Sequence, residues 1–247
     1  MVPHDEFLNP LCSTRTIANF LPRRSILNAL TAELSNFHGT VLDIGCGCKP
    51  YRPLLLAPSS RVVKYIGLDL SGDLLHAAYG RFEPPDIEWD GHTIPLNTNS
   101  VDCAIATEVL TECPQPEAVM REAIRVLNPG GLFFFTVKFL WPICDAPYDQ
   151  GRPTPFALER QLRSVGFERV ELQALGGWDA SLAQMLGLWV GRRPMGRVKR
   201  RILAILALPI ISYLLKKDVP LLPPSDFEGT IMITGIAGKA IKPRATL

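Results

Sequence analysis

The feature that most constrains this chain is an alternation of short apolar runs with helical segments between residues 39 and 175. The apolar runs contain few polar positions, as expected of strands that are buried on both faces. Strands that alternate with helices in this way form a parallel sheet with helices on both faces. The predicted strands are 40–44, 62–69, 86–89, 101–107, 132–139, 167–175 and 229–240, and the predicted helices are 23–37, 51–57, 72–80, 116–127 and 156–165.

We therefore expect an α/β fold with a doubly wound, mostly parallel sheet of seven strands and a helical insertion before the last strand. The chain has 247 residues, a suitable length for one domain of this kind. In such sheets ligands bind at the carboxyl ends of the strands. The turn after the first strand is therefore the first place to look for a ligand site.

That turn is rich in glycine and lies in the stretch VLDIGCGCKPYR, residues 41–52. A dinucleotide-binding turn has a third glycine where this chain has Pro50, and its absence argues against NAD or FAD. The stretch also lacks the G-x-x-x-x-G-K-[ST] pattern of a phosphate-binding P-loop. Cys46 and Cys48 are two thiols without further ligands nearby in sequence, so no metal site is expected.

Three aspartates mark the same predicted edge of the sheet: Asp43 before the turn, Asp69 at the end of strand two, and Asp90 after strand three. An acid at the end of the second strand is placed to accept both hydroxyls of a ribose. A carboxylate near the turn attracts a cation rather than a pyrophosphate. These features favour a cationic nucleoside without phosphate, and S-adenosylmethionine fits with its adenine, ribose, ammonium and sulfonium.

Four stretches resemble class I S-adenosylmethionine-dependent methyltransferases of the broad small-molecule "type 11" kind. They are VLDIGCG (41–47), YIGLDLS (65–71), VDCAIATEVLTECPQPEAVMREAIRVLNPGG (101–131) and LRSVGFERVEL (162–172). The resemblance implies a Rossmann-like methyltransferase fold over a single domain, 1–247. Its parts are an N-terminal arm and helix (1–38), a cofactor-binding core (39–175), a helical, basic and apolar insertion (176–228), and the last strand and tail (229–247).

The resemblance also implies which residues bind S-adenosylmethionine. Asp43, Gly45, Cys46 and Gly47 line the methionine part, Asp69 binds the ribose, Leu70 lies beside the adenine, Asp90 and Gly91 meet the adenine amino group, and Thr107 and Glu108 flank the cofactor. One departure is that Lys49 replaces the third glycine that is usual in the family's turn.

Methyl transfer needs no fixed catalytic motif, because the protein mainly aligns donor and acceptor and excludes water. The loop 141–155 follows strand five and is placed above the acceptor. Asp145 and Tyr148 in this loop are candidate general bases, and His92 after strand three is a third candidate. The alternative reading, in which the loop residues only close a lid, stays open.

The insertion carries an uneven charge. Residues 191–217 contain eight Lys or Arg and no acid, although the formal net charge of the chain is only +2. Within this segment, 202–215 is an apolar run interrupted by Pro209. Two alternatives remain: peripheral contact with an anionic membrane through 197–217, or a protein-buried helix that caps the active site or makes a dimer contact.

These observations predict an S-adenosylmethionine-dependent methyltransferase that acts by direct transfer on a small-molecule or lipid-linked, glycan-type acceptor. The alternative is a non-catalytic scaffold or regulator that binds the cofactor with the same fold. Cysteines without C-x-x-C pairing indicate a reduced, cytoplasmic protein, which contact through 197–217 would hold at the inner face of a membrane. The acidic remainder of the chain argues against a nucleic-acid partner.

Overall fold

A computed structural model describes residues 5–70, 83–144, 149, 151–219 and 231–244. Its seven strands form one sheet in the order β3-β2-β1-β4-β5-β7-β6, in which only β7 is antiparallel to its neighbours. The strands are β1 (His38–Ile44), β2 (Arg61–Asp69), β3 (Ile87–Glu88), β4 (Val101–Thr107), β5 (Leu127–Lys138), β6 (Glu168–Leu175) and β7 (Gly235–Ile241). The predicted α/β fold with a mostly parallel seven-stranded sheet is confirmed.

The helices cover both faces of this sheet. They are α1 (Asp5–Leu8), α2 (Phe20–Ala32), α3 (Arg52–Leu55), α4 (Pro116–Val126), α5 (Pro155–Ser164), α6 (Trp178–Arg192) and α7 (Arg197–Lys217). The interior strand β5 sends Phe133 and Phe135 into the core shared with α4 and α5, and Phe134 into the core shared with α2. This alternation buries both faces of the strand, which explains its continuous apolar sequence.

Several predicted element boundaries were wrong, and the largest differences concern α2, β5 and β7. The helix predicted at 23–37 is α2, which begins at Phe20 and ends at Ala32, followed by a short 3₁₀ turn. The strand predicted at 132–139 is β5, which begins at Leu127: Val101 pairs with Leu127 and Cys103 pairs with Leu132, so the intervening residues bulge from the ladder. The last strand begins at Gly235 rather than 229. The helix predicted at 72–80 lies outside the described residues.

The insertion before the last strand forms two antiparallel helices, α6 and α7, and α7 continues through Pro209. Strands β5 and β6 both run antiparallel to β7, so they are parallel to each other. The carboxyl end of β6 therefore lies at the same edge of the sheet as the ends of β1 and β4, and α6 starts from that edge. Across the described ranges, no helix is long and apolar enough to cross a membrane.

Candidate cofactor and acceptor site

The turn after β1 is fastened to β2 by its backbone. The N–H groups of Gly45 and Cys46 donate to the carbonyl of Leu68 at 2.8 and 3.1 Å. Gly45 and Gly47 both have positive φ, +70° and +50°, which glycine adopts without strain. A Cβ on Gly45 would lie 2.3 Å from a methyl of Val109, whereas a Cβ on Gly47 would meet nothing within 4 Å. Gly45 thus permits close packing against the loop after β4, and Gly47 leaves open space beside the turn.

Asp69, at the end of β2, organises this turn. One of its carboxylate oxygens accepts the N–H of Gly47 at 2.6 Å, and the other accepts the N–H of Leu70 at 2.8 Å. Burial raises the pKa of Asp69, and these two backbone hydrogen bonds oppose that rise. Each oxygen keeps a second lone pair, which is free for a ligand hydroxyl. The predicted ribose residue therefore has a further structural role that sequence reasoning missed.

Asp43 is a fully buried carboxyl inside β1. The hydroxyl of Tyr65 donates to its Oδ2, while Oδ1 has no hydrogen-bond partner within the described part of the chain. Burial raises the pKa of Asp43 to about 7, against the lowering effect of the Tyr65 hydrogen bond. An unpaired buried acceptor is costly unless a ligand satisfies it. The ammonium group of S-adenosylmethionine is a donor of the required charge, so this atom fits that cofactor.

Lys49, the departure from the family's glycine, points into the protein. Its side chain is 2% exposed, and its Nζ lies 2.8 Å from Asp86 Oδ1 and 3.4 Å from Glu83 Oε1. The second oxygen of Asp86 accepts the N–H of Gly67 in β2 at 2.6 Å. Lys49 thus ties the turn to β2 and to the segment before β3. The thiol of Cys46 is buried beside Gly67, and burial raises its pKa, so it packs rather than reacts.

The structure brings the predicted adenine residues together at the ends of β2 and β3. A side-chain methyl of Leu70 lies 3.7 Å from the position that a Cβ of Gly91 would take. Asp90 is exposed, and its Oδ1 accepts the N–H groups of His92 and Thr93 at 2.8 Å each. These hydrogen bonds lower the pKa of Asp90, so its carboxylate shapes the loop around Gly91.

A second polar cluster lies at the ends of β4 and β5. Glu108 has a φ of +63°, rare for a residue other than glycine, and it is held twice by Thr136. The Glu108 N–H donates to the Thr136 carbonyl at 3.0 Å, and the Thr136 hydroxyl donates to Glu108 Oε1 at 2.8 Å. Burial raises the pKa of Glu108, and the Thr136 hydrogen bond opposes that rise. Thr107 pairs with Thr136 in the sheet, so both predicted cofactor-flanking residues reach this cluster.

The same cluster contains Lys138, Cys144 and Asp149, which the sequence did not single out. Lys138 at the end of β5 is 9% exposed; its ammonium pairs with Glu112 and lies 3.2 Å from the sulfur of Cys144. Asp149 pairs with Arg152. A single lysine at the end of an otherwise apolar strand was the available signal for Lys138. Asp145 and Tyr148, two of the predicted catalytic residues, lie outside the described residues.

The third predicted catalytic residue, His92, is placed elsewhere. It is exposed and follows β3, which is separated from β4 in the sheet by β2 and β1. Glu108, by contrast, follows β4, the direct neighbour of β1, with Asp43 paired to Ile105. The geometry therefore favours Glu108 over His92 for a group near the methionine half of the cofactor.

Part of this chain is similar to known proteins. Residues 42–135 match the family model described as a methyltransferase domain. An uncharacterized protein from a Streptomyces fradiae transposon is 35% identical over 132 residues, covering 51% of this chain and 36% of that protein. A fatty-acid O-methyltransferase from Mycolicibacterium smegmatis is 30% identical over 110 residues, covering 43% and 40%. The chain thus spans less than half the length of these two relatives.

The fold has solved counterparts. A crystal structure of an S-adenosylmethionine-dependent methyltransferase from Archaeoglobus fulgidus superposes with a TM-score of 0.54 at 15% identity, covering 96% of this chain and 97% of that chain. This likeness concerns the fold alone. Residues 42–135, which match the family model, form a methyltransferase domain. S-adenosylmethionine is the cofactor of this domain.

Proposed function

We propose that this protein transfers the methyl group of S-adenosylmethionine directly to a nucleophilic atom of a small-molecule or lipid-linked acceptor. One observation carries the proposal: the unpaired oxygen of Asp43 lies in β1, directly beside the strand that ends in the half-buried Glu108. The first carboxyl is suited to hold the charged end of the cofactor. The second is suited to receive a proton from an acceptor.

The chain's own residues would act by binding, orientation and proton transfer. Asp43 would hold the ammonium group of S-adenosylmethionine, and Asp69, which keeps the turn in place, would accept the ribose hydroxyls. S-adenosylmethionine, when bound, would supply an electrophilic methyl group to a lone pair of the acceptor, with S-adenosylhomocysteine as the leaving group. The products are the methylated acceptor and S-adenosylhomocysteine. The proton of a hydroxyl or amine acceptor passes to a base at the end of β4.

Glu108 is the base that we propose. Its carboxyl has a raised pKa because of burial, which brings its proton affinity closer to neutral pH and favours general base catalysis. Its strained backbone is held by two hydrogen bonds to Thr136, as is typical of positions whose geometry matters for function. Asp145 and Tyr148 remain candidate bases from the sequence, and His92 is a less favoured one.

The acceptor that we propose has an apolar body. The fatty-acid O-methyltransferase is named for such an acceptor, an alkyl chain that ends in an oxygen nucleophile. In the polar cluster at the ends of β4 and β5, the cations are paired, Lys138 with Glu112 and Arg152 with Asp149. Glu108 adds a further acid when ionised, so the cluster favours a neutral hydroxyl over a free carboxylate.

Transfer of a labelled methyl group tests this proposal. The purified protein is incubated with methyl-labelled S-adenosylmethionine and fractions of a bacterial lipid extract, free fatty alcohols and water-soluble sugars as separate acceptors. We expect label in an apolar fraction. Glu108→Gln should lower turnover at least tenfold and keep S-adenosylhomocysteine affinity, whereas Glu168→Gln, at an exposed position on β6, should change neither. Cofactor binding without turnover on any fraction would instead support a non-catalytic scaffold.

A further inference from the structure

The α6–α7 hairpin, residues 178–217, exposes many large apolar side chains, a kind of side chain that the rest of the described chain mostly buries. The structure has seventeen large apolar side chains that are exposed among the described residues, and eleven of them lie in 178–219. The hairpin nevertheless has a packed inner side, where Ala183 and Val190 of α6 meet Ala204, Ala207 and Ile211 of α7. Its outer side is therefore a surface of a folded unit rather than an unfilled core.

The exposed apolar residues form stripes along both helices. In α6 every exposed position from 178 to 189 is apolar, with the spacing of four, three and four residues that defines one helix face: Trp178, Leu182, Met185 and Trp189. In α7 one face reads Lys199, Ile202, Leu206, Ile210, Tyr213 and Lys217. The second stripe thus has a lysine at each end, about 27 Å apart at a rise of 1.5 Å per residue.

We propose that this hairpin docks on an anionic bilayer surface, with both helices lying in the plane of the headgroups. Apolar stripes with tryptophan and tyrosine, bounded by lysine, are typical of helices at a membrane interface. Eight Lys or Arg and no acid occur between 191 and 217, which complements anionic lipid. Lysines at both ends of one stripe reach the headgroups together only when α7 lies flat.

The basic charges and the apolar stripes argue against two other partners for this face, a second copy of the chain and a nucleic acid. A symmetric dimer through this face would bring the same basic patch against itself, which costs free energy through repulsion between like charges. A nucleic acid would neutralise the bases but would leave the apolar stripes in water. An anionic membrane satisfies both the charge and the apolar surface.

The position of the hairpin connects docking to the site, although the inference stands independently of the proposed acceptor. The hairpin starts from β6 at the carboxyl edge of the sheet. Gln184 donates to the carbonyl of Ala18 at 3.4 Å, and Arg192 donates to Asn19 at 3.0 Å. The Arg192 guanidinium also lies 5.7 Å from the ring centre of Trp141, in the loop after β5. Docking through α6 and α7 would therefore bring the carboxyl edge of the sheet, where the candidate cofactor site lies, close to the membrane.

Flotation of the full chain with lipid vesicles tests the proposal. Vesicles of phosphatidylcholine alone and of phosphatidylcholine with phosphatidylglycerol are compared at low and high salt. We expect binding to the anionic vesicles only, weakened by salt. Two charge-matched variants separate the hairpin from net charge: Lys199→Ser with Lys216→Ser and Lys217→Ser, and a control with Lys64→Ser, Arg121→Ser and Arg160→Ser. All six side chains are exposed.

The hairpin variant should bind anionic vesicles on the order of a hundredfold more weakly, since each base near such a surface contributes about fivefold. The control variant should bind within about twofold of the unmutated protein, because its bases lie on β2, α4 and α5 rather than on the hairpin. An apolar variant, Ile202→Gln with Leu206→Gln and Ile210→Gln, should lose about tenfold or more. S-adenosylhomocysteine binding checks that each variant is folded.

Three results would overturn the proposal: no binding of the unmutated protein to anionic vesicles, equal losses in the hairpin and control variants, or a stable dimer in solution that fails to bind vesicles. The first result combined with normal methyl transfer would remove the membrane contact and leave the proposed activity intact.

Discussion

The cofactor edge, which is the carboxyl edge of the sheet around Asp43 and Asp69, differs from the α6–α7 hairpin in the kind of side chain that it buries. The cofactor edge buries carboxyl groups, with Asp43 and Asp69 8% exposed or less. The hairpin exposes tryptophan, isoleucine and leucine. Each arrangement is unfavourable for an isolated protein in water. A buried carboxylate loses its hydration, and an exposed apolar stripe restricts the water molecules around it. Such costs are retained where a ligand or surface offsets them, which is why we propose a cationic cofactor for the first region and an apolar, anionic partner for the second.

The largest expected effect separates the two glycines of the cofactor turn. Gly45→Val would force a branched side chain against Val109, and overpacking costs about 1–3 kcal/mol, with about 1–2 kcal/mol more for a left-handed backbone. We expect a large drop in melting temperature together with loss of cofactor binding. In Gly47→Ala only the backbone cost of about 1–2 kcal/mol applies, because its Cβ would enter open space. Equal melting temperatures for the two variants would contradict this difference.

The next effect concerns Asp69. Asp69→Ala removes the acceptor for the N–H groups of Gly47 and Leu70 as well as the predicted ribose contact. Hydrogen bonds to charged groups contribute about 1.5–3 kcal/mol each, so affinity for S-adenosylhomocysteine should fall at least tenfold. Calorimetric titration measures this loss, with Asp102→Ala as a control at a distant, half-buried acid. An unchanged affinity in Asp69→Ala would show that the ribose binds elsewhere.

A smaller effect follows from the raised pKa of Asp43. The carboxyl is half protonated near pH 7 in the free protein, and a bound ammonium stabilises its ionised form. Affinity for S-adenosylmethionine should therefore decrease as the pH falls from 8 to 6, and binding near pH 7 should release protons. Titrations in buffers of different ionisation enthalpy detect that release. Binding without proton release at any pH in this range would contradict a role for Asp43.

The smallest effect is expected at Lys49. Lys49→Met keeps an apolar stem in the buried site but removes the pairing with Asp86 and Glu83, both partly exposed and able to regain water. The free energy of unfolding should fall within the ordinary range for one substitution, about 0.5–3 kcal/mol. Cofactor affinity should change less than in Asp69→Ala. A larger loss of affinity in Lys49→Met than in Asp69→Ala would place the lysine in the ligand site.

Much of the cofactor edge was predictable because its chemistry is local in the sequence. The strand-turn stretch around Asp43 and the acid at the end of β2 follow from spacing alone. The partnering of Lys49 with Asp86 was not predictable, since it joins residues 37 positions apart. Nor was the double contact between Glu108 and Thr136, which depends on the pairing of β4 with β5.

For the hairpin, the sequence predicted the helical segment but not which of its apolar side chains are exposed. Composition alone predicts a basic, apolar helical segment at 197–217, and α7 has those bounds. The stripe on α6 was missed, because its exposed face from 178 to 189 is wholly apolar while its buried face includes Ser181 and Gln184, the reverse of the usual helix pattern. Only the fold shows that Leu188 is buried while Trp189 is exposed. Which apolar residues face outward depends on tertiary packing and not on helical periodicity.

The most direct test of the cofactor edge is a paired measurement on Asp43→Asn at pH 8. A carboxyl whose pKa rises from 3.8 to about 7 on folding lowers the free energy of unfolding as the pH rises through that window. The neutral amide avoids this cost and can still accept from Tyr65. We predict that Asp43→Asn melts at the same temperature as the unmutated protein or higher, while calorimetry shows at least a tenfold loss of S-adenosylmethionine affinity. Unchanged affinity in a stable Asp43→Asn protein would contradict the assignment of this buried acid to the cofactor.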